Sequence, residues 1–493
     1  MHNQKYFERN SVNLRNTWRG IKSIINLKEK DKSNSFSLMI NNEINTEPSV
    51  IANEFNNYFS SIASKLQASI HSQDQDFHRF LHNKSEHSLF ITPTTKYEVL
   101  DTITGNINNK ASGPNSIPNN ILLLVKDIIA NPLADIFNLS VSTGIYIDKL
   151  KISKIIPIFK EKGDKCFTKN YRPISLLSNI NKIFEKIIHK RLYEFMEKQG
   201  FIYENQFGFR KHHSTTHALI DLTKDIRQAV DNNFYSCGVF IDLQKAFDTV
   251  DHDILLKKLD HYGIRGIAND WFRSYLKNRK QYVHISGFNS ELENVNFGVP
   301  QGSVLGPLLF LIYINDLHHA IKYSKTRHFA DDTNLLINNN SLKQLKKRLN
   351  FDLRQLSNWL KAYKISLNCS KTEYIIFRHP NKQVNYDLKI KINGKRLVPS
   401  KCVKYLGIVL DPHLNWSFHV DSLAPKLTRA AGMLAKIRYY VPENTLRSIY
   451  FGIFASLLTY ASQVWGQFCN KYISRLQTIQ NKAIRIINLL TQN

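Results

Sequence analysis

Two adjacent carboxylates, Asp331 and Asp332, stand in RHFADDTNLL (residues 327–336) between apolar residues. Like charges side by side in such surroundings are costly unless a cation binds them. Mg²⁺ suits them best: it is hard, prefers oxygen, and pairs one or two carboxylates with substrate phosphates. A third ligand must then come from elsewhere in the chain. Asp242 in VFIDLQKAFDTVDH is the candidate, because it ends a buried apolar run where a charge has little structural purpose. Three carboxylates on two neighbouring strands could hold two metals roughly 3.5–4 Å apart. One would lower the pKa of an attacking hydroxyl, and the other would stabilise a leaving pyrophosphate, which is chemistry for nucleotidyl transfer. The competing reading is an exposed Asp-Asp turn with Asp242 capping a helix.

These side chains need elements to hold them. TRHFADDTNLLI reads as strand, tight turn, strand, and YSCGVFIDL as a strand buried on both faces. Ile152 to Phe159 is β-like and ends in a charged turn at Lys162-Gly163-Asp164. NYRPISLLSNINKIFEKIIHKRLYEFM passes from an extended entry at Pro173 into a helix with Ile180, Ile183, Phe184, Ile187 and Ile188 on one face. GVPQGSVLGPLLFLIYINDL is a Gly/Pro turn feeding an apolar helix, with Pro307 in its first turn. DILLKKLDHYGI and DWFRSYLKNRKQYV read as helical. Leu342, Leu345, Leu349, Leu353, Leu356, Leu360 and Tyr363 form one stripe of an amphipathic helix with a basic opposite face. Beyond about residue 420 the chain reads as helical and basic. IYFGIFASLLTYA is expected to be a buried helix, too short to span a bilayer.

A formal net charge of +27 over 493 residues, with a pI near 9.7, implies a polyanionic partner, most simply nucleic acid. The 42% apolar content is that of a globular chain. Cys166, Cys237, Cys369, Cys402 and Cys469 form no CxxC pair, so neither a disulfide framework nor a zinc site is expected, and a reducing intracellular compartment is. Residues 1–90 are polar and Asn- and Ser-rich, with a loop-rich boundary at 71–88 whose histidines lack metal-ligand spacing.

FIDLQKAFDTVDH, GVPQGSVLGPLLFLIYINDL and FADDT, in this order, resemble the reverse transcriptase of non-LTR (LINE-type) retrotransposons, close to the jockey-like group. The resemblance runs from about Lys110 to the end of the chain. It takes in ASGPNSIP, NYRPISLL, NQFGFRKHHSTTHAL, SLNCSKTEYIIF, VKYLGIVLD, YASQVWG and LQTIQNKAIRII. Each motif alone is weak; all of them in sequence order are specific. The resemblance implies an α+β right-hand polymerase fold. An N-terminal helical extension would occupy 1–90, fingers and the start of the palm 91–235, and a palm with a small antiparallel sheet 236–415. A basic helical thumb would occupy 416–493.

The resemblance also implies roles. Asp242, Asp331 and Asp332 would be the catalytic carboxylates holding two Mg²⁺ ions, with Mn²⁺ a substitute. Asp242 and Asp331 would bridge both metals, and Asp332, facing the other way along its strand, would be peripheral. Phe247 would be a steric gate against a ribose 2′-OH; plain core is the other reading. Gln301 and Gly302 would cradle the incoming base and template, the glycine allowing close backbone approach. Lys160 and Arg172 would contact the triphosphate, Arg210 would lie near nucleotide and template, and Lys371 is the candidate general acid for pyrophosphate. Asp248 and Asp251 read as local helix-start residues. Val403 to Asp411 would be the primer grip; Tyr460 and Trp465 would be thumb core.

The expected partners are an RNA template, a DNA primer or target, and deoxynucleoside triphosphates. No membrane partner is expected, oligomeric state is left open, and the location is intracellular, nuclear or in a cytoplasmic ribonucleoprotein. No endonuclease constellation, zinc knuckle or RNase H segment is visible, so the expectation is a polymerase portion or truncated copy whose nick comes from another protein. The alternatives left open are an inactive or domesticated RNA-binding protein of this fold and a group II intron maturase.

Overall fold

The computed structural model describes residues 6–7, 9, 14–24, 36–70, 76–105, 112–384, 388–466 and 470–488. Residues 71–75 of the polar boundary, Lys110, Ala111 and Cys469 lie outside them. In chain order, the elements that build the site begin with helix Pro48–Ala68 (α1) and strands Ile152–Phe159 (β1) and Tyr171–Leu176 (β2). Helices Asn179–Lys198 (α2) and Thr215–Asp231 (α3) and strand Tyr235–Ile241 (β3) follow. Next come helices His252–His261 (α4) and Ile267–Leu276 (α5), strand Arg279–Ile285 (β4) and helix Leu305–Ile314 (α6). Strands Lys325–Phe329 (β5) and Asp332–Asn339 (β6), helix Leu342–Ala362 (α7) and strand Glu373–Phe377 (β7) complete the centre. Strands Val403–Tyr405 (β8) and Ile408–Leu410 (β9) precede helices Ser417–Ile437 (α8) and Asn470–Ile487 (α9). The chain is α+β.

The central sheet is antiparallel, in the order β7-β3-β6-β5. Both faces of β3 are covered, as its unbroken apolar run requires. Cys237, Val239 and Ile241 join a core with Trp271, Phe310 and Trp359 from α5, α6 and α7, while Phe240 joins a second core with α3, β8, β9 and α8. Leu335 and Ile337 of β6 face the first core, and Leu336 the second. On α7, Leu345, Leu349, Leu353, Leu356 and Leu360 are buried and Lys343, Lys347, Arg348 and Arg354 exposed. Each buried leucine contributes about 1.5–3 kcal/mol.

A second sheet carries β2, β1 and β4 in that order, with β1 antiparallel to β2 and parallel to β4. Only Ile152 to Ile155 pair with β4, so Pro157 sits past that pairing, where its missing N–H costs nothing. Helix α1 closes this sheet, with Ile51, Phe55 and Phe59 packing on Ile155, Tyr171, Val283 and Ile285.

Two expectations change. DWFRSYLKNRKQYV is helix only to Leu276; Asn278 takes a left-handed backbone (φ 58°), a common helix stop, and the strand β4 begins at Arg279. IYFGIFASLLTYA is not a buried helix. Helix Glu443–Tyr450 passes into a π-turn at Phe451–Ala455, and Phe451 is 62% exposed, with Leu457 and Tyr460 also at the surface. Apolar content reports no orientation, and a π-turn rotates the face that follows it. Among the described residues no helix is long and apolar enough to cross a membrane.

Candidate active site

Strand β3 ends at Ile241, so Asp242 leaves the sheet at its edge, and Ile241 pairs with Thr333 of β6. Asp332 immediately precedes Thr333, and Asp331 belongs to the turn joining β5 and β6. Adjacent strands thus bring Asp242 beside Asp331 and Asp332. Asp242 is held by the turn before β7: the Asn368 amide donates to its carboxylate (2.7 Å), and the Asn368 N–H donates to its carbonyl (2.9 Å). Its own N–H points to the Thr372 hydroxyl (3.4 Å), and Leu243 bridges Leu367. Lys371 Nζ lies 3.9 Å from the Asp242 carboxylate.

No ion pair neutralises Asp331 or Asp332 among the described residues. Their tips reach solvent, yet protein packed around the turn desolvates them, and neighbouring carboxylates add repulsion. Burial and Asp242 raise Asp331 above the ordinary carboxylate range, against a lowering pull from Arg172. Burial, Asp331 and Asp242 push Asp332 up to about 6. Asp332 therefore feels the charge of both other carboxylates. Among the described residues no three His, Cys, Asp or Glu side chains close into a ready-made metal site. The donor chemistry, three hard and under-compensated oxygen ligands, fits Mg²⁺ that brings water and phosphate as its remaining ligands.

Cations gather opposite. Burial lowers Lys160 to about 8, and repulsion from Lys245, Lys371 and Arg172 adds to the shift. Residues from both sheets thus share one electrostatic field, with Lys160 just past β1, Arg172 in β2, and Lys245 and Lys371 in the turns that follow β3 and precede β7. Such mutual repulsion is relieved by a polyanion.

The other expected residues sort unevenly. Phe247 is half-buried, stacked on Phe310 (ring centroids 4.4 Å apart) and edge-on to Phe209 (6.3 Å). Gln301 donates its amide to Asp248 (2.7 Å), and its carbonyl accepts from the Ser175 N–H (2.8 Å). Gly302 has φ +137°, and a Cβ there would lie 2.3 Å from the Ser175 carbonyl oxygen, so its close approach is to strand β2. Arg210 is held internally: its Nε and Nη2 donate to the two Glu197 carboxylate oxygens (2.9 Å each), and its Nη1 donates to the Tyr203 carbonyl (3.1 Å). Asp251 does cap α4, accepting from the Asp253 and Ile254 N–H groups. Asp248 is not a helix-start residue: it lies beside Lys245 under Gln301, and burial raises its pKa. Trp465 is buried, whereas Tyr460 is surface-exposed and donates to the Leu406 carbonyl (2.7 Å).

Asn368, Lys245 and Gln206 were missed as participants. Asn368 and Lys245 stand inside SLNCSKTEYIIF and FIDLQKAFDTVDH, but their contacts are remote in sequence. Gln206, in NQFGFR, reaches the Asp331 turn, since its side-chain oxygen accepts from the Ala330 N–H (3.1 Å).

Residues 158–410 match the family model described as reverse transcriptase (RNA-dependent DNA polymerase), and the chain belongs to that family. Three similar proteins, all of Drosophila melanogaster, narrow the kinship. One is named "Probable RNA-directed DNA polymerase from transposon BS", 31% identical over 454 residues, covering 88% of this chain and 49% of the relative. A second, named "Probable RNA-directed DNA polymerase from transposon X-element", is 31% identical and covers 86% and 46% respectively. The RNA-directed DNA polymerase from mobile element jockey is 28% identical and covers 83% and 45%. These agree with the jockey-like resemblance of the motifs. The chain spans about half the length of the curated relatives it matches.

Proposed function

We propose that this chain is an RNA-directed DNA polymerase of a non-LTR retrotransposon, extending a DNA 3′ end on an RNA template. The observation that carries the reading is the meeting of Asp242, Asp331 and Asp332 at one end of the central sheet, with no ion pair to Asp331 or Asp332 among the described residues and with lysine and arginine gathered nearby. The central sheet is then the palm, β1, β2 and the elements packed on them the fingers, β8 and β9 the primer grip, and the helices from α8 onward the thumb. Bound Mg²⁺ would make the primer hydroxyl acidic and offset charge on the departing pyrophosphate. Asp242, Asp331 and Asp332 would hold two such ions, with the Asn368 amide, which donates to the Asp242 carboxylate, limiting its rotation. Lys160 and Arg172 would draw in the triphosphate, and Lys371 would donate a proton to pyrophosphate. The free edge of Phe247 would crowd a ribose 2′-OH.

Exposed Lys426, Arg429 and Lys436 on α8, with Arg475, Lys482 and Arg485 on α9, suit phosphate contacts along a duplex. A nuclear location, or one in a cytoplasmic ribonucleoprotein, follows from a chromosomal target and an RNA template. The test is extension of oligo(dT) on poly(rA) with Mg²⁺ and dTTP. The native chain should extend the primer, and Asp331→Ala should lose at least about 10³-fold in rate while still binding RNA. Equal incorporation by both proteins would refute the site.

A further inference from the structure

We infer that Gln206 is a positioning residue for the carboxylate turn, acting through the backbone of Ala330; this rests on the polymerase reading above. Ala330 and Asp331 form a two-residue hairpin between the paired Phe329 and Asp332, and such a turn places its first residue in the left-handed region; Ala330 has φ 56°, a conformation a residue with a Cβ takes less readily than glycine and that a bracing contact favours. The buried side-chain oxygen of Gln206 supplies that contact, accepting from the Ala330 N–H (3.1 Å) and the Gly208 N–H (2.9 Å).

The segment around Gln206 is itself docked along β5. The Phe207 N–H donates to the His328 carbonyl (2.8 Å), the His328 N–H donates to the Asn205 carbonyl (3.0 Å), and Gln206 bridges His328 in parallel. Gly208 completes the fit. A Cβ at that position would stand 2.4 Å from the Ala330 nitrogen, so only glycine lets the two backbones approach this closely. Phe209, next along, packs edge-on against Phe247. One short segment therefore touches both the carboxylate turn and the aromatic ring expected beside the nucleotide sugar. Displacing it moves Asp331 relative to Asp242, whose own anchors, Asn368 and Thr372, are on the opposite side of the sheet edge.

Two substitutions separate positioning from bulk structure. Gln206→Met keeps the side-chain length and removes the acceptor; Gln206→Glu keeps an oxygen for both N–H groups. Gln206→Met should lower kcat for primer extension about 10–100-fold, the usual effect of losing a group that orients a metal ligand, with KM for dTTP little changed. Gln206→Glu should recover most of that loss. A readout independent of turnover is Mn²⁺ affinity, followed by electron paramagnetic resonance on the chain with template and a dideoxy-terminated primer. Weaker binding by Gln206→Met, restored by Gln206→Glu, supports the assignment. In the native chain, hydrogen exchange should find the Ala330 amide protected, which needs no folded variant. A native chain that extends primers while Gln206→Met matches it in kcat and Mn²⁺ affinity, or an Ala330 amide that exchanges freely, would overturn the positioning role. A native chain that extends no primer would instead refute the polymerase reading.

Discussion

Asp316, just past α6, and Asp331, in the turn after β5, are treated in opposite ways by the protein. Asp316 is fully buried and fully compensated: Lys258 Nζ lies 2.6 Å away and also donates to the Tyr313 carbonyl (2.7 Å), while the Tyr363 hydroxyl donates to the second carboxylate oxygen. Asp221 and Asp225 of α3 follow the same rule, paired with the buried Arg327 of β5. Asp331 and Asp332 meet each other and Asp242 but pair with no cation among the described residues. Where the chain supplies its own counter-charge, the carboxylate is part of the scaffold. Where it gathers three acids and offers only the exposed Lys371, 3.9 Å from Asp242, most of the counter-charge has to come from solution.

Breaking each kind of site should have opposite consequences. Lys258→Met strands the Asp316 charge in the core and should cost about 3–5 kcal/mol of stability, read by urea denaturation. Asp331→Asn removes repulsion and should leave the denaturation midpoint unchanged or higher while abolishing extension. A Lys258→Met protein of native stability would erase the contrast. A smaller effect is expected on the cationic side. Lys160→Ala or Arg172→Ala should each raise KM for dTTP about tenfold or more, the loss of one charged hydrogen bond, with stability unaffected. Unchanged KM in both would place the triphosphate elsewhere.

The smallest effect sharpens the comparison through pH. The folded-state pKa of Asp332 is raised, to about 6, above the ordinary carboxylate value. Between about pH 4 and pH 6 the folded chain binds more protons than the unfolded chain, so this group lowers stability as pH rises through that window. Asp332→Asn should therefore raise the thermal midpoint at pH 8, and the gain should vanish near pH 4. A gain independent of pH would mean that Asp332 carries no raised pKa. Protons and Mg²⁺ should also compete below about pH 6, so the Mg²⁺ requirement should grow as pH falls.

Much of this was legible in the sequence, because its carriers are local. The run Tyr235–Ile241 has the pattern of a strand covered on both faces, the Asp-Asp pair sits in a turn between two strands, and the leucine stripe of α7 repeats at helical spacing. The trio of Asp242, Asp331 and Asp332 could be read because charges at the ends of apolar runs demand a partner. What escaped depends on pairs far apart in the chain. Gln206 meets Ala330, Asn368 meets Asp242, and the Lys245 ammonium lies over the rings of Tyr58 and Phe59 of α1, in a segment where the sequence showed no chemistry. Arg210 is likewise held by a partner outside its own motif, its Nε and Nη2 donating to Glu197 of α2.

The most direct measurement of the three-carboxylate site is iron-mediated backbone cleavage. Fe²⁺ occupying Mg²⁺ sites reduces added hydrogen peroxide to hydroxide and a hydroxyl radical, ascorbate returns the Fe³⁺ to Fe²⁺, the radicals cut the nearest peptide bonds, and mass spectrometry locates the cuts. With template, primer, hydrogen peroxide and ascorbate, we expect cuts around residue 242 and around residues 331–332 together, suppressed by excess Mg²⁺ and lost in Asp331→Ala. Cuts at only one of the two segments, or a pattern that Asp331→Ala leaves unchanged, would contradict a metal site shared by these three carboxylates.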